Sequence, residues 1–149
     1  IGHITVRDDE TEACGCGRKG GLEQYASATG LVRLAKRYFE KNTKNSILTG
    51  KEITAKEVFD AAKAGDAAAL EITEEFGAYL GQALVNLAAT VDPAVFVIGG
   101  GVSKAGDILL ETVRKYFYDH AFYGNQKTKI TLATLGNDAG IYGAAKQVL

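Results

Sequence analysis

Apolar residues repeat at helical spacing over much of the chain. One such set predicts an amphipathic helix because its members recur every three or four positions: Leu31, Leu34, Ala35, Tyr38 and Phe39. The polar side of this helix is basic, and we interpret it as a solvated face with no further role: Arg33, Lys36, Arg37 and Lys41. A shorter helix over residues 22–28 precedes it and places Glu23 in its first turn, and Thr29 and Gly30 are predicted to separate the two.

Two further helices follow a loop that is expected over residues 41–50. Thr54 and Glu57 have the spacing of a capping box, which predicts a helix from Ala55 to Gly65. A long helix is predicted from Asp66 to about Val91, with one apolar stripe: Phe76, Leu80, Leu84, Leu87 and Val91. Small residues on this helix leave room for another backbone: Gly77, Gly81 and Ala88.

Three short segments have the composition of strands. Residues 4–6, 94–98 and 130–133 are rich in β-branched and apolar side chains, and the second is predicted to be buried. Five or six helices with three strands indicate an α/β class that is helix-rich and has an incomplete sheet. Apolar surface should therefore remain exposed where further strands would pack.

A run of glycines follows the second predicted strand. Gly99, Gly100 and Gly101 lead into a helix expected from about Asp107, and such a strand, turn and helix can bring backbone amides close to a phosphate. The run matches neither a Walker A loop nor the dinucleotide fingerprint. A tight turn without a ligand and a nucleotide-binding turn both fit these residues.

Composition narrows the class of protein. The chain has 149 residues, of which 46% are hydrophobic and 23% charged, with a net charge of −1, as expected of one globular domain. The near-zero charge and the lack of a basic run argue against nucleic acid as a partner of this segment. No apolar run approaches the roughly 20 residues of a membrane span. Two cysteines without a disulfide framework favour a reducing, cytoplasmic compartment.

The candidate chemistry lies near the start of the chain. Cys14 and Cys16 stand in a glycine-rich loop, and His3 lies eleven residues before Cys14. Two thiolates and an imidazole are ligands that zinc prefers. The same residues also fit two reduced surface thiols and a hydrogen-bonded structural histidine, whereas a disulfide between Cys14 and Cys16 would close a small, strained ring.

These residues resemble a family motif. The order Gly-His, then Cys-Gly-Cys-Gly-x-x-Gly, then Leu-Glu is similar to the G-H…C-x-C-G-x-x-G-C-x-E motif of the ROK family of sugar kinases and sugar-responsive repressors. The resemblance implies that His3, Cys14 and Cys16 bind zinc and that His3 and Glu23 contact the sugar. The third family cysteine falls on Gly21, so that the fourth zinc position is left to water, to nothing, or to a nearby carboxylate: Asp8, Asp9, Glu10 or Glu12.

The resemblance also implies a fold and an activity. It identifies residues 1–149 as the carboxy-terminal domain of a two-domain sugar kinase, with part of an actin-like ATPase (ribonuclease H-like) fold. The activity implied is phosphorylation of a hexose by ATP and Mg²⁺, commonly of glucose to glucose 6-phosphate, with Gly99, Gly100 and Gly101 lining the adenosine side of the ATP cleft. The alternative is the sugar-sensing domain of a ROK transcriptional repressor.

The position of the first residue within the motif affects the activity expected of residues 1–149. The chain opens on Ile1, inside the motif, and we therefore expect that an amino-terminal domain with the catalytic Asp is absent and that residues 1–149 are inactive alone. A homodimer is also expected, through the long helix and through a group of aromatic residues predicted to be exposed: Tyr116, Phe117, Tyr118, Phe122 and Tyr123.

Overall fold

A computed structural model describes residues 1–148, except for the side chain of Asn137. Helices dominate this part of the chain, in the order α1 (Glu23–Ala26), α2 (Ala28–Lys41), α3 (Ala55–Lys63), α4 (Ala67–Val91), α5 (Asp107–His120) and α6 (Ala139–Lys146). Two strands, β1 (Val95–Ile98) and β2 (Lys129–Leu132), and three short 3-10 turns, Gly101–Ala105, Tyr123–Asn125 and Gly136–Asp138, complete the described elements. The predicted helix-rich α/β architecture with an incomplete sheet is confirmed.

The sheet has two parallel strands in the described residues. Val95 pairs with Lys129 and Ile98 pairs with Leu132. The prediction that the first of these strands is buried is wrong, because the side chains of Val95 and Val97 are 43% and 60% exposed. The opposite face packs inward, with Ile130 buried in the core. Apolar surface is therefore exposed on this sheet, as expected.

The strand predicted at residues 4–6 does not form. Thr5 makes only an isolated antiparallel bridge with Gly21. The partner segment turns into α1 two residues later, so the ladder has no room to continue. This short pairing nevertheless holds the first residues of the chain beside the start of α1.

The boundary between α1 and α2 lies earlier than predicted. Ser27, rather than Thr29 and Gly30, separates the helices, and its hydroxyl accepts a hydrogen bond from the Gly30 N–H. Gly30 lies in the first turn of α2, where an added Cβ would be 2.7 Å from the Tyr25 carbonyl carbon. The glycine therefore permits a tight corner between the two helices and does not end one of them.

The next two helices begin as the sequence predicts. Thr54 and Glu57 form both bonds of the capping box at the start of α3. Asp66 caps α4 by accepting a hydrogen bond from the Ala69 N–H. No described helix is both long and apolar enough to cross a membrane.

The long α4 helix forms the main packing contact with α5. At Gly77 an added Cβ would lie 2.6 Å from the Thr112 Cβ, and at Gly81 it would lie 2.8 Å from the Tyr116 Cβ. The two glycines let the helices approach closely, as predicted. Of the aromatic residues predicted to be exposed, Phe117 is fully buried and Tyr116 is half-buried, whereas Phe122 and Tyr123 are largely exposed. Phe117 lies on the inner side of α5, one turn after Val113.

Candidate functional site

The three predicted metal ligands come together in space. One ligand atom each from His3, Cys14 and Cys16 lies within 4.8 Å of the others. A turn presents the two sulfurs, since the Cys14 N–H donates to the Arg18 carbonyl at 2.7 Å and the Gly17 N–H donates to the Cys14 carbonyl at 2.8 Å. Gly17 has a φ of +82°, a conformation that glycine adopts without strain. Residues thirteen positions apart thus share one potential metal site.

Backbone pairing brings His3 to the cysteines. The Val6 N–H donates to the Gly20 carbonyl and the Leu22 N–H donates to the Ile4 carbonyl, at 2.8 and 2.9 Å. The segment containing His3 therefore runs beside the residues that close the cysteine turn. His3 and Cys16 are exposed and Cys14 is half-buried, so an ion or a small ligand can reach all three.

Hydrogen bonding favours the thiolate form of Cys14. The thiol of Cys16, and then its backbone N–H at 3.4 Å from the Cys14 Sγ, lower the pKa of Cys14. A thiolate is the form that binds metal. The arrangement therefore fits the donor chemistry of a zinc site with three protein ligands.

A fourth protein ligand is not present in the described residues. None of the four carboxylates considered in the sequence (Asp8, Asp9, Glu10 and Glu12) belongs to the cluster. Three of these carboxylates bind arginines instead: Asp9 with Arg7, and Glu10 and Glu12 with Arg33 and Arg37. An added Cβ at Gly21 would be 3.8 Å from the His3 Cα, so the position that carries cysteine in the motif lies beside the backbone of His3.

Glu23 pairs through its backbone with Gly2, the residue before His3. Its backbone N–H donates to the Gly2 carbonyl at 2.8 Å, and an added Cβ on Gly2 would be 3.5 Å from the Glu23 Cβ. Glu23 is exposed in the first turn of α1 and borders a cleft of about 470 Å³ together with Cys14, Cys16 and Arg33. The structure therefore brings the predicted sugar contacts and the predicted metal ligands to the same region of the surface.

From the sequence, Glu10 was considered only as a possible zinc ligand, whereas the structure buries its carboxylate. The side chain of Glu10 is 2% exposed, and Arg37 donates to it twice, at 3.0 Å each. Arg33 donates to it at 2.7 Å, and the Tyr25 hydroxyl also donates to it. These bonds, above all those from Arg37, hold the pKa of Glu10 far below its usual range against the opposing effect of burial.

The basic face of α2 is therefore only partly a solvated face. Arg33 and Arg37 are one helical turn apart and both point toward the acidic stretch that contains Glu10 and Glu12. The sequence did contain a signal for this contact, because it has two arginines at helical spacing and an acidic stretch that could pair with them. A helical pattern identifies a polar face, but it does not say which distant residues will contact that face.

The glycine run forms the other candidate region. Gly100 has a φ of +79° and a ψ of −172°, a conformation essentially confined to glycine. A cleft of about 390 Å³ separates the 3-10 turn Gly101–Ala105 from α3, and Phe59, Lys63 and Lys104 are among the residues that line it. An added Cβ on Gly99 would be 3.5 Å from the Ala133 Cβ, so the run lies where both parallel strands end. Ligands of open α/β sheets bind at this edge.

A third depression shares lining residues with both regions. It is lined by Thr29 and Arg33, which also line the cleft at Glu23, and by Ala55, which also lines the cleft at Gly101. The candidate sugar side and the candidate nucleotide side thus both lie next to this depression.

Comparison with known proteins identifies the family. The model of the ROK family matches residues 1–149. A glucokinase from Halalkalibacterium halodurans is 43% identical over 148 residues, covering 96% of this chain and 45% of that protein. The chain therefore spans about half the length of the curated relatives that it matches.

Solved structures agree with this assignment. A ROK family glucokinase from Streptomyces griseus, in complex with glucose and AMPPNP, has a TM-score of 0.86 at 37% identity, over 98% of this chain and 49% of that chain. A ROK family transcriptional regulator homologous to the E. coli MLC protein has a TM-score of 0.72 at 28% identity, over 88% of this chain and 33% of that chain. The chain belongs to the ROK family and has part of the actin-like ATPase fold of its sugar kinases.

Proposed function

We propose that this chain provides half of the active site of a ROK hexose kinase, with glucose as the substrate, as its carboxy-terminal domain. The observation that carries the proposal is that the Glu23 backbone pairs with Gly2, the residue before His3, and that Glu23 lines the same cleft as the clustered Cys14 and Cys16. A carboxylate and an imidazole held on paired segments in this way would accept and donate hydrogen bonds to neighbouring sugar hydroxyls. Sites that pair with hydroxyls in this way reject analogues that lack them.

ATP binds, in this proposal, along the glycine run. Gly99, Gly100 and Gly101 place backbone without side chains at the end of the sheet, and the adjoining cleft has the aromatic ring of Phe59 on one wall. Lys63 and Lys104 add positive charge at its edge. Phosphoryl transfer depends on alignment of the sugar hydroxyl with the γ-phosphate and on charge neutralisation by Mg²⁺. The catalytic Asp that accepts the sugar proton is expected outside residues 1–149.

Zinc binds, in this proposal, to His3, Cys14 and Cys16, with a fourth ligand from solvent. The donor types and the 4.8 Å spread of the ligand atoms support this assignment. Its contribution is to hold the His3 ring in one orientation beside Glu23. The two thiols are free in the described structure, which favours a reducing, cytoplasmic setting.

A homodimer forms part of the same proposal. Tyr118, Phe122 and Tyr123 at the end of α5 are 37%, 70% and 86% exposed and form an apolar surface that a second copy would cover.

A sugar-sensing role in a transcriptional repressor is the second candidate, because a ROK transcriptional regulator shares the fold at a TM-score of 0.72. The kinase is favoured by the 43% identity to a glucokinase. Glucose-dependent ADP formation by the full-length protein supports the kinase. Sugar binding without any ADP formation supports the sensor.

Replacement of Glu23 by Gln tests the sugar site. The variant keeps the shape of the side chain but loses its charge, and a hydrogen bond to a charged group contributes about 1.5–3 kcal/mol. We expect kcat/KM for glucose to fall by roughly 10- to 150-fold in steady-state assays of the full-length protein, with a higher KM for glucose. The control is Glu111→Gln on the exposed side of α5, which should leave kcat/KM unchanged. An unaltered kcat/KM in the Glu23 variant would remove Glu23 from the site.

A further inference from the structure

The loop that carries the two cysteines has few connections to the rest of the protein. We define the cysteine loop as residues 8–19. The backbone–backbone hydrogen bonds that this loop makes in the described structure join it only to itself, from Cys14 to Arg18 and from Gly17 to Cys14. Its position relative to the helices therefore depends on side chains.

One side chain of the cysteine loop is buried. Glu10 is 7% exposed as a residue, whereas the other residues of the loop are exposed or, for Cys14, half-buried. The Glu10 carboxylate also accepts hydrogen bonds from the backbone N–H groups of Thr11 and Glu12, at 2.9 Å each. The side chain is thus fixed both to its own loop and to the protein interior.

The carboxylate of Glu10 contacts both helices behind the loop. The Tyr25 hydroxyl approaches it from α1, two residues after Glu23. Arg33 and Arg37 approach it from α2. Arg37 binds both carboxylate oxygens, the bidentate geometry that fixes orientation as well as distance.

We propose that Glu10 is a positioning residue, whose buried carboxylate docks the cysteine loop on α1 and α2 and so sets where Cys14 and Cys16 lie relative to His3 and Glu23. The role in metal and sugar binding rests on the proposed function, whereas the docking of the loop does not. In the described structure the Glu10 carboxylate is not part of the cluster of His3, Cys14 and Cys16.

The remaining side-chain contacts of the cysteine loop stabilise its position less than the Glu10 contacts do. Asp9 pairs with Arg7, and Glu12 pairs with Arg33 and Arg37, but these carboxylates are 73% and 65% exposed. Exposed ion pairs contribute little because water and salt screen them. The Gln24 amide also donates to the Glu12 carbonyl at 3.0 Å. Loss of the Glu10 contacts should therefore let the loop detach while the helices remain packed.

Limited trypsin digestion of the purified metal-free protein tests the docking. Arg18 and Lys19 are exposed trypsin sites at the end of the loop, and mass spectrometry can follow cleavage at these two bonds separately from cleavage elsewhere. We expect Glu10→Gln to increase the cleavage rate at Arg18 and Lys19 several-fold, because cleavage needs a locally opened segment. Arg37→Gln removes both Arg37 bonds to Glu10, together with the longer bond to the exposed Glu12, and keeps Glu10, so it tests the same contact if Glu10→Gln fails to fold.

The matched control is Glu71→Gln. Glu71 accepts hydrogen bonds from Lys44 at 2.6 Å and from Tyr38 of α2 at 2.7 Å. The change therefore removes a charged partner of α2 and of the residue Lys44 that follows it, without altering a contact of the cysteine loop. Cleavage at Arg18 and Lys19 should stay at the wild-type rate in this variant. Equal cleavage rates in wild type, Glu10→Gln and Arg37→Gln would overturn the proposal.

Metal titration of the same variants gives the second readout. Co²⁺ bound by thiolates is visible by absorption, and Zn²⁺ can then be measured by competition. We expect Glu10→Gln and Arg37→Gln to weaken binding by about 10- to 100-fold, as outer partners of metal ligands do. If wild type binds neither metal, the proposed zinc site fails, while the trypsin result still decides the docking role. Wild-type affinity in both variants would contradict positioning of the ligands by Glu10.

Discussion

Two guanidinium groups and a phenol surround one buried carboxylate at the base of the cysteine loop. The Glu10 side chain is 2% exposed, and those of Arg33 and Arg37 are 20% and 29% exposed. Removal of one partner from such a buried group costs about 3–5 kcal/mol, because the remaining charges stay desolvated. At the scale of single residues, this network should dominate the energetics of the candidate site.

The stability contributed by Glu10 should depend on pH. The arginines lower the pKa of Glu10 in the folded protein, so its contribution is complete above the unfolded-state value of about 4.3 and is lost as the pH falls toward the folded-state value. Near neutral pH we expect wild type to exceed Glu10→Gln in free energy of unfolding by about 3 kcal/mol. Urea unfolding at about pH 7 and about pH 3 measures this difference, which should shrink at the lower pH. A constant difference would show that the charge of Glu10 is not its source.

Gly21 allows a direct test of the zinc assignment. Gly21→Cys would place a third thiol beside the cluster, and its Cβ would lie 3.3 Å from the Gly2 carbonyl oxygen, a contact that needs only a small shift. Four-ligand sites bind zinc with about 10–16 kcal/mol, or roughly 3 kcal/mol per ligand. We therefore expect zinc affinity to rise by about a hundredfold in chelator competition. Gly21→Ser has a similar size without a thiol and should not tighten binding in this way.

At the scale of elements, the contact between α4 and α5 depends on glycines, which have no side chain to keep the helices apart. Gly77 and Gly81 lie one turn apart on α4, opposite Thr112 and Tyr116 of α5. Both helices contribute fully buried side chains to the core: Ile72 and Phe76 from α4, and Phe117 from α5. Close packing of this kind leaves little volume for additional methyl groups.

Gly77→Ala should destabilise the protein although alanine is the better helix former. Alanine gains about 1 kcal/mol in a helix, whereas overpacking costs about 1–3 kcal/mol, and here the new Cβ would meet the Thr112 Cβ at 2.6 Å and its carbonyl carbon at 2.9 Å. We expect a net loss of about 1 kcal/mol or more in urea denaturation. The control is Gly143→Ala on α6, where an added Cβ would meet no neighbouring atom within 4 Å. This variant should raise the free energy of unfolding by about 0.5–1 kcal/mol. A stabilised Gly77→Ala would mean that the helices can move apart at little cost.

At the scale of the whole molecule, the candidate clefts and the exposed sheet are the main features. The clefts at Glu23 and Gly101 each share lining residues with a third depression between α2 and α3. Val95 and Val97 present apolar surface on β1, and Ile141 and Tyr142 on α6 are 71% and 60% exposed. We propose that further parts of a sugar kinase cover this surface.

Residues 1–149 alone should not phosphorylate glucose. In the proposed function these residues orient the sugar and ATP, but the Asp that accepts the sugar proton lies outside them. An assay coupled to ADP formation should therefore give no glucose-dependent signal with this chain, and a clear one with a full-length protein that contains it. Turnover by residues 1–149 would require a base within them and would contradict the proposed division of roles.

Local patterns were sufficient for most helices. The capping box of Thr54 and Glu57, the cap at Asp66 and the periodicity up to Val91 are short-range features, because a helix is closed by bonds between residues four apart. The cluster of His3, Cys14 and Cys16 was also predicted, from the residue types and the family motif and not from geometry. The boundary at Ser27 was missed because Gly30 suggests a break unless the tight approach to Tyr25 is known.

The amino-acid sequence by itself determined the helix-rich class, the family, and the residue types of the candidate site. Only the tertiary structure decided that Arg33 and Arg37 face Glu10, that Phe117 is buried, and that one face of β1 is exposed. The physical reason is that side-chain pairing and burial depend on contacts between residues distant in the chain. Glu10 and Arg37 are 27 positions apart, and no local periodicity records that they meet.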